Sequence, residues 1–269
     1  MNGSHHEHVG TSSSIIPTVT AIVCLVIIIL YVYAVIVTNR TNRNWPILRS
    51  VSLIFAGTFI WLSLVGPFSL YGSEVLNFTS HMIGHLLLGM LAPLLFALAA
   101  PLTLILRTLP TIHARKLSAF LKSKFSQFFT HPVVTAILNI GGLWLLYTTP
   151  LFSLMHTNEW MYWLVHIHVF VAGYLFTISI IYIDPIYHRK SIRYRAVVLI
   201  LALAGHSILS KYLYINPPNG VSSQEAEQGS MLMYYGGDLI DAVLIFILCL
   251  QWYKATRPKT QKSKEAVIV

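Results

Sequence analysis

Seven long runs of apolar residues, separated by short polar segments, set the pattern of this chain. They cover residues 15–37, 51–70, 78–106, 133–150, 160–183, 196–215 and 231–253. Runs of about 20 apolar residues have the length that an α-helix needs to cross the hydrocarbon core of a bilayer. Strands of a membrane β-barrel would instead alternate apolar and polar residues over about ten positions. The pattern predicts an all-α polytopic membrane protein, a bundle of about seven transmembrane helices.

Composition argues against an ordinary soluble domain and limits which binding partners the chain can have. Of the 269 residues, 55% are hydrophobic and 10% are charged, and the mean hydropathy is +0.67. The net charge of +9 would suit nucleic acid only if the basic residues shared a face with base-stacking aromatics, but they stand between the apolar runs. We therefore expect anionic lipid as a partner, and no nucleic acid. Cys24 and Cys249 lie within apolar runs and form no CxxC motif, which argues against a disulfide framework or a thiolate metal site.

The distribution of lysine and arginine predicts the orientation. Cytoplasmic loops of membrane proteins are enriched in these residues. One side of the predicted bundle carries all of them except Lys211, namely Arg40, Arg43 and Arg49; Arg107, Arg115, Lys116, Lys122 and Lys124; Arg189, Lys190, Arg193 and Arg195; and Lys254, Arg257, Lys259, Lys262 and Lys264. We predict an extracytoplasmic polar tail over 1–14, a transmembrane domain over 15–253 and a basic cytoplasmic tail over 254–269. The expected location is the plasma membrane.

The cytoplasmic segment 111–130 has the pattern of an amphipathic helix. Its apolar face consists of Leu117, Phe120, Leu121, Phe125, Phe128 and Phe129. A solvated basic loop would leave these phenylalanines in water, so we expect the segment to lie flat on the cytoplasmic leaflet.

Ionisable residues inside the predicted spans are costly and indicate a candidate site. His81 and His85, at i and i+4 on the third span, share a helix face and can present two imidazoles to one ion. His166 and His168 on the fifth span lie about 200° apart, so only one of them can face a given neighbour. Of these two, we assign His168 to the site and His166 to packing.

The sixth and seventh spans add His206, Asp238 and Asp241, the two aspartates being expected on one face. Counted from the outer ends of the spans, His85, His168, His206 and Asp238 fall about 10–14 Å deep, with Asp241 one turn deeper. The cytoplasmic half has no equivalent layer. A single intramembrane histidine is more often an interhelical hydrogen-bond partner than a ligand, but a shared depth favours a metal site. The predicted ligands are His81, His85, His168, His206, Asp238 and Asp241. Asp238 could instead orient a ligand, and Asp241 could equally cap a helix or supply a counter-charge.

Two further features accompany this layer. Pro93 and Pro101 remove backbone donors from the third span, which favours either a kink that opens a cavity or prolines that are tolerated because neighbouring helices satisfy the freed carbonyls. Thioethers favour Cu(I), and several methionines stand near the outer face, namely Met82, Met155, Met161, Met231 and Met233. Ordinary apolar packing is the alternative explanation for these methionines.

Several motifs follow one another along the predicted spans. They are HMIGHLLLGMLAPLLFALAAPLTLILRTLP at His81–Pro110, HPVV at His131–Val134, TTPLFSLM, HVFVAGYLF with Ile183–Pro185, AGHS around His206, and GGDLIDAVLIFILCLQW. In order and spacing these motifs resemble the CtaG family of caa3-type cytochrome c oxidase assembly factors. The resemblance implies a factor that is not an enzyme and that helps copper reach a cytochrome c oxidase subunit. It also implies that His81, His85, His168, His206 and Asp238 are site residues.

Other functions stay open at this point. Histidines on separate helices can also ligate haem, as in a membrane oxidoreductase, although a haem bundle usually has histidines at two depths. A proton- or metal-coupled transporter would need polar groups along the cytoplasmic half as well. Zinc or haem therefore stand beside copper as candidate ligands. The sequence does not decide between a monomer and a homo-oligomer.

Overall fold

The fold is helical throughout the part of the chain that the structure describes. This computed structural model describes residues 12–41, 44–66, 68 and 77–258. The helices are α1 Ser12–Thr41, α2 Ile47–Leu64, α3 Phe78–Leu86, α4 Ala92–Leu98, α5 Pro101–Thr108, α6 Thr111–Leu121, α7 Lys124–Phe129, α8 Pro132–Ala136, α9 Gly142–Thr148, α10 Leu151–Thr157, α11 Glu159–Ile180, α12 Ile192–Ile215 and α13 Ser223–Thr256. Two π-helical segments, Leu87–Leu91 and Ile137–Gly141, join α3 to α4 and α8 to α9.

Six helical stretches are long and apolar enough to cross a membrane. Within the described ranges they are Thr18–Thr41, Ile47–Leu64, Phe78–Leu98, Glu159–Ile180, Ile192–Ile215 and Ser223–Thr256. Pro132–Thr148 and Leu151–Thr157 make a seventh only if they count as one span bent by 79°. The all-α prediction is thus confirmed, and six apolar helices indicate a multi-pass membrane protein. A total of seven spans and the orientation of the termini stay predictions.

The third span is shorter than the sequence pattern predicts. It was expected to continue to residue 106, but helix α4 ends at Leu98 and Ala100 adopts a left-handed conformation with φ of 51°. Pro101 then begins the separate helix α5, a position where a missing backbone N–H costs nothing. The sequence stays apolar across this break, so the hydrophobic pattern alone does not show that the helix ends here.

A buried carboxylate holds the new helix in place. Asp184, only 3% exposed, accepts hydrogen bonds from the backbone N–H groups of Leu102 (3.1 Å) and Thr103 (2.8 Å) and from the Thr103 hydroxyl (2.6 Å). It satisfies donors that the first turn of a helix leaves unpaired. The Ile-Asp-Pro sequence therefore has a structural role at this end of the bundle.

Arg195 joins three helices on the basic side of the bundle. The residue is 3% exposed, and its guanidinium donates to the Ile180 carbonyl and to Gln251 (3.1 Å) and lies 3.9 Å from the centre of the Tyr182 ring. The Ile180 carbonyl ends α11, where no intrahelical donor remains. The basic side of the bundle therefore contains a buried cation in an anchoring role.

The segment 111–130 forms two helices, α6 and α7, separated at Lys122 and Ser123. Phe120, Phe125 and Phe128 are each more than half exposed, as a face turned toward lipid would be. The flat placement on the leaflet stays a prediction. Of the two predicted tails, residues 1–11 and 259–269 lie outside the described residues.

Candidate functional site

A small cavity lies where the middle of the bundle brings five helical stretches together. Its volume is about 30 Å³, and its polar lining consists of His85, Asn139, Thr177, His206 and Asp241. We call it the inner cavity. The side chains come from α3, the second π-helical segment, α11, α12 and α13. The structure thus unites four of the six expected site residues in one region, since His81 lies one turn from His85 on the same helix.

Two imidazoles face each other across this inner cavity. The ring centres of His85 and His206 lie 6.3 Å apart, and the rings are 7% and 3% exposed. Within the described residues, neither Nε2 atom has a hydrogen-bond partner. Leaving a buried polar atom unpaired costs about 1–3 kcal/mol, so two such atoms at one cavity point to a ligand or water that bonds them.

Glycines allow the helices to approach closely around the inner cavity. A Cβ atom on Gly173 would lie 2.1 Å from the Gly89 carbonyl oxygen, so α11 contacts the backbone of the first π-helical segment directly. A Cβ atom on Gly237 would lie 2.6 Å from Cε1 of His206. Small residues have this role at helix interfaces in membranes. Gly237 therefore defines where the His206 ring can lie.

Both π-helical segments border the inner cavity. Gly89 and Met90 belong to the first and line one wall, and Asn139 and Ile140 belong to the second and line another. Single π turns within α-helices occur frequently at functional sites, because the extra residue redirects side chains.

A second cavity, of about 20 Å³, is lined by four histidines, three of which do not line the inner cavity. His81, His85, His156 and His166 all line it, together with Met155. This cavity lies near the helix ends on the side of the bundle where basic residues are scarce. We call it the outer cavity. His81 Nε2 and the Tyr147 hydroxyl are 3.0 Å apart, and the centres of the His81 and His156 rings are 6.0 Å apart. His85 lines both cavities and so connects them.

The structure places two of the predicted ligands, His168 and Asp238, outside both cavities. His168 is exposed, with Nε2 3.1 Å from the Leu138 carbonyl oxygen, and it packs over Gly142 outside both cavities. The other member of the pair, His166, faces the interior, because that side of α11 packs against the third span. Asp238 is also exposed, since it follows Gly237 by about 100° on α13 whereas Asp241, four residues after Gly237, returns to the same face.

Sequence reasoning missed two residues of this region. His156 lies on α10, which the hydrophobic pattern left between predicted spans, and Asn139 is a polar residue inside an apolar run. The presence of Asn139 in a span was a usable signal, because polar side chains in membranes usually face the protein interior. His156 gave no such signal, because its helix folds back after the bend at residues 149–150.

The donor set is incomplete for a permanent metal centre. Among the residues that the structure describes, no group of three or more His, Cys, Asp and Glu side chains is arranged to hold one metal ion. The side chains that approach each other do so in pairs. The arrangement can therefore offer two neutral imidazole nitrogens at a time, with the Asp241 carboxyl at the same inner cavity.

These features define a multi-pass helical membrane protein with a buried histidine region in one half of the bundle. The model of the family described as Cytochrome c oxidase caa3 assembly factor (Caa3_CtaG) matches residues 29–255. That range includes both cavities and nearly all of the described chain, and the chain belongs to this family.

Curated relatives are larger proteins. An uncharacterized protein of Mycobacterium leprae is 28% identical over 244 residues, which cover 82% of this chain and 37% of the relative. Uncharacterized proteins of Mycobacterium bovis and Mycobacterium tuberculosis are each 30% identical over 154 residues, 55% of this chain and 23% of theirs. The chain thus matches between 23% and 37% of the length of these relatives. No solved structure matches it.

Proposed function

We propose that this membrane protein assists assembly of a caa3-type cytochrome c oxidase by holding copper reversibly at the inner cavity and passing it to an oxidase subunit. His85 and His206 are the proposed ligands, with Asp241 beside them. Copper is the cargo of this reaction, taken up from the extracytoplasmic side and released to the client. The unpaired Nε2 atoms of the two buried histidines are the observation that carries the proposal.

The spacing of the two rings is compatible with a shared ion. An ion bonded to one nitrogen of each ring at about 2.1 Å can join rings whose centres lie at most roughly 6.5 Å apart. The 6.3 Å between His85 and His206 lies just inside that limit. Imidazole suits copper, zinc and iron alike, so the choice of copper rests on the family's role in oxidase assembly.

Incomplete coordination supports a transfer role. A protein that keeps a metal permanently encloses it with three or four ligands, whereas a factor that delivers metal must let a client's ligands displace its own. Two histidines with one neighbouring carboxyl leave coordination positions for an incoming ligand. We therefore propose that the protein holds and delivers copper and does not catalyse a reaction.

The size and closure of the inner cavity favour a small ion over the alternatives. A volume of about 30 Å³ accommodates an ion or one or two waters, whereas sites for organic cofactors such as haem are about tenfold larger or more. Toward the basic side, the inner cavity ends at Leu94, Phe176 and Leu244, which belong to a buried apolar cluster. This closed end supports a holding site rather than a path through the membrane.

Copper retention by histidine variants tests the proposal. The full chain, purified in detergent, is loaded anaerobically with Cu(I), passed through a desalting column and analysed for metal. Wild type is expected to retain copper. H85Q/H206Q should lose retention by at least about 10–100-fold, because both nitrogen donors are gone and loss of a partner that merely orients a ligand already costs that much. H168Q is the matched control, since His168 lies outside both cavities, and it should behave as wild type. Wild-type retention by H85Q/H206Q would refute the site.

A further inference from the structure

The outer cavity has the chemistry of a loading site. We infer that His156, His166 and Met155 capture Cu(I) first and pass it by way of His81 to His85, from which it reaches His206. This inference rests on the proposed function, because it supplies the route by which copper arrives at the inner cavity. The observation that supports this route is that the His85 side chain lines both the outer and the inner cavity.

Backbone hydrogen bonds fix the tautomers of two of the histidines. His156 Nδ1 lies 2.7 Å from the Phe152 carbonyl oxygen, and His166 Nδ1 lies 2.7 Å from the Tyr162 carbonyl oxygen. A carbonyl oxygen only accepts hydrogen bonds, so each Nδ1 must carry the proton and each neutral ring has its lone pair on Nε2. Metal-binding histidines are commonly oriented in this way, by a carbonyl that accepts from the other ring nitrogen.

One of these lone pairs has no partner. The Nε2 atom of His156 is buried and makes no hydrogen bond within the described part of the chain. The ring of His156 lies 6.0 Å from that of His81, centre to centre, within the same roughly 6.5 Å that two imidazoles sharing one ion can span. The outer cavity therefore repeats the paired arrangement of the inner one.

A thioether at the outer cavity selects among metals. Met155 is 2% exposed and lines the outer cavity beside the four histidines. Soft thioether sulfur favours Cu(I) over Zn(II), which imidazoles alone would accept. The outer cavity is therefore assigned to Cu(I).

The histidines descend from the helix ends toward the inner cavity. On α3, His81 is followed one turn, or about 6 Å, deeper by His85. Tyr147 contacts both of these histidines: its ring centre lies 5.9 Å from that of His81 and 6.3 Å from that of His85. Ring-centre spacings of about 6 Å thus separate His156 from His81 and His85 from His206, and Tyr147 contacts one ring of each pair.

Loading kinetics separate this route from the storage site. Anaerobic stopped-flow measurement follows the transfer of Cu(I) from its coloured bicinchoninate complex to the full-length protein in detergent. H156Q/H166Q is expected to bind the same final amount of copper as wild type but to take it up about tenfold or more slowly. H168Q, two residues from His166 on the same helix, should load at the wild-type rate. Competing Zn(II) should leave the rate of Cu(I) uptake unchanged.

Each failure has a distinct signature. Wild-type loading by H156Q/H166Q, together with lost retention in H85Q/H206Q, would overturn the loading route and leave the proposed function standing. If H156Q/H166Q bound less copper than wild type at the end of loading, the route would also be overturned, because the outer cavity would then be the storage site. Slowing by Zn(II) would overturn the assignment to Cu(I). A wild-type protein that takes up no copper would overturn both proposals.

Discussion

At the scale of single residues, the site is defined as much by glycines as by histidines. Gly236 and Gly237 are adjacent on α13, and a Cβ atom on either would lie 2.6 Å from a neighbouring side chain. For Gly236 that neighbour is Cδ1 of Leu86, the flexible end of an aliphatic chain. For Gly237 it is Cε1 of His206, whose position matters for the inner cavity. The same added methyl group thus has different consequences at the two positions.

Substitution of these two glycines tests the position of His206. G237A should displace the imidazole and reduce Cu(I) retention by about tenfold, although every donor atom is still present, since small misplacements of ligands are costly. G236A should retain copper as wild type does, because Leu86 can rotate away. Retention by the purified variants provides the measurement. Equal retention by both would show that the ring position of His206 is unimportant.

Helix periodicity limits which histidines and aspartates can face the interior together, but it does not show which member of each pair does so. His166 and His168 lie on opposite sides of one helix, so periodicity shows that only one faces inward. Which one does so depends on how α11 packs against the third span, through Gly173 on Gly89, and this contact has no local signature. Asp238 and Asp241 pose the same problem, since residues three apart differ by about 60° around the axis.

At the scale of elements, the break after α4 separates the third span from α5. Ala100 occupies the left-handed region, which costs a residue with a Cβ atom about 1–2 kcal/mol. Ala99, its neighbour, has ordinary helical angles, and both methyl groups are fully buried. The two alanines therefore differ in backbone conformation but not in burial.

Glycine substitutions at these alanines have different expected effects. A100G relieves about 1–2 kcal/mol of backbone strain, but it loses about 0.8 kcal/mol of methyl burial and adds about 0.5–1 kcal/mol of glycine's conformational entropy, so stability should stay nearly unchanged. A99G loses the same burial without any relief and should destabilise the protein by about 1–2 kcal/mol. Thermal unfolding in detergent compares them. A lower Tm for A100G than for A99G would contradict the strained break.

The lengths of most spans follow from hydrophobicity, whereas their interruptions do not. A leucine-rich run continues through Leu87–Leu91 without any change in composition, although its backbone is π-helical. The position of the break at Ala100 depends on Asp184, which is 84 residues away in the sequence and caps α5. Long-range contacts of this kind are absent from local patterns.

At the scale of the whole molecule, the bent pair Pro132–Thr148 and Leu151–Thr157 decides the topology. If this pair crosses the bilayer, seven spans place the two termini on opposite sides; if it does not, six spans place them on the same side. The predicted orientation, with the basic side in the cytoplasm, requires the crossing.

Reporter fusions at the two termini measure this directly. A fluorescent protein at the C-terminus, active only in the cytoplasm, should fluoresce, and a phosphatase at the N-terminus, active only outside, should hydrolyse its substrate. The expected result follows from the charge of the loops, which favours the cytoplasm for the basic side. Termini on the same side would show that the bent pair is re-entrant and that the count is six.

The two π-helical segments have a consequence for comparing relatives. Each inserts about one residue relative to an α-helix, so the helix beyond it is rotated by roughly 100°. A relative without the insertion at 87–91 could place its imidazoles on the same face with one residue fewer between them and Pro93. A gap-free alignment would then match a histidine with a leucine and mistake an equivalent ligand for a lost one. Single-residue gaps at 87–91 and 137–141 are therefore to be expected among proteins that share this interior.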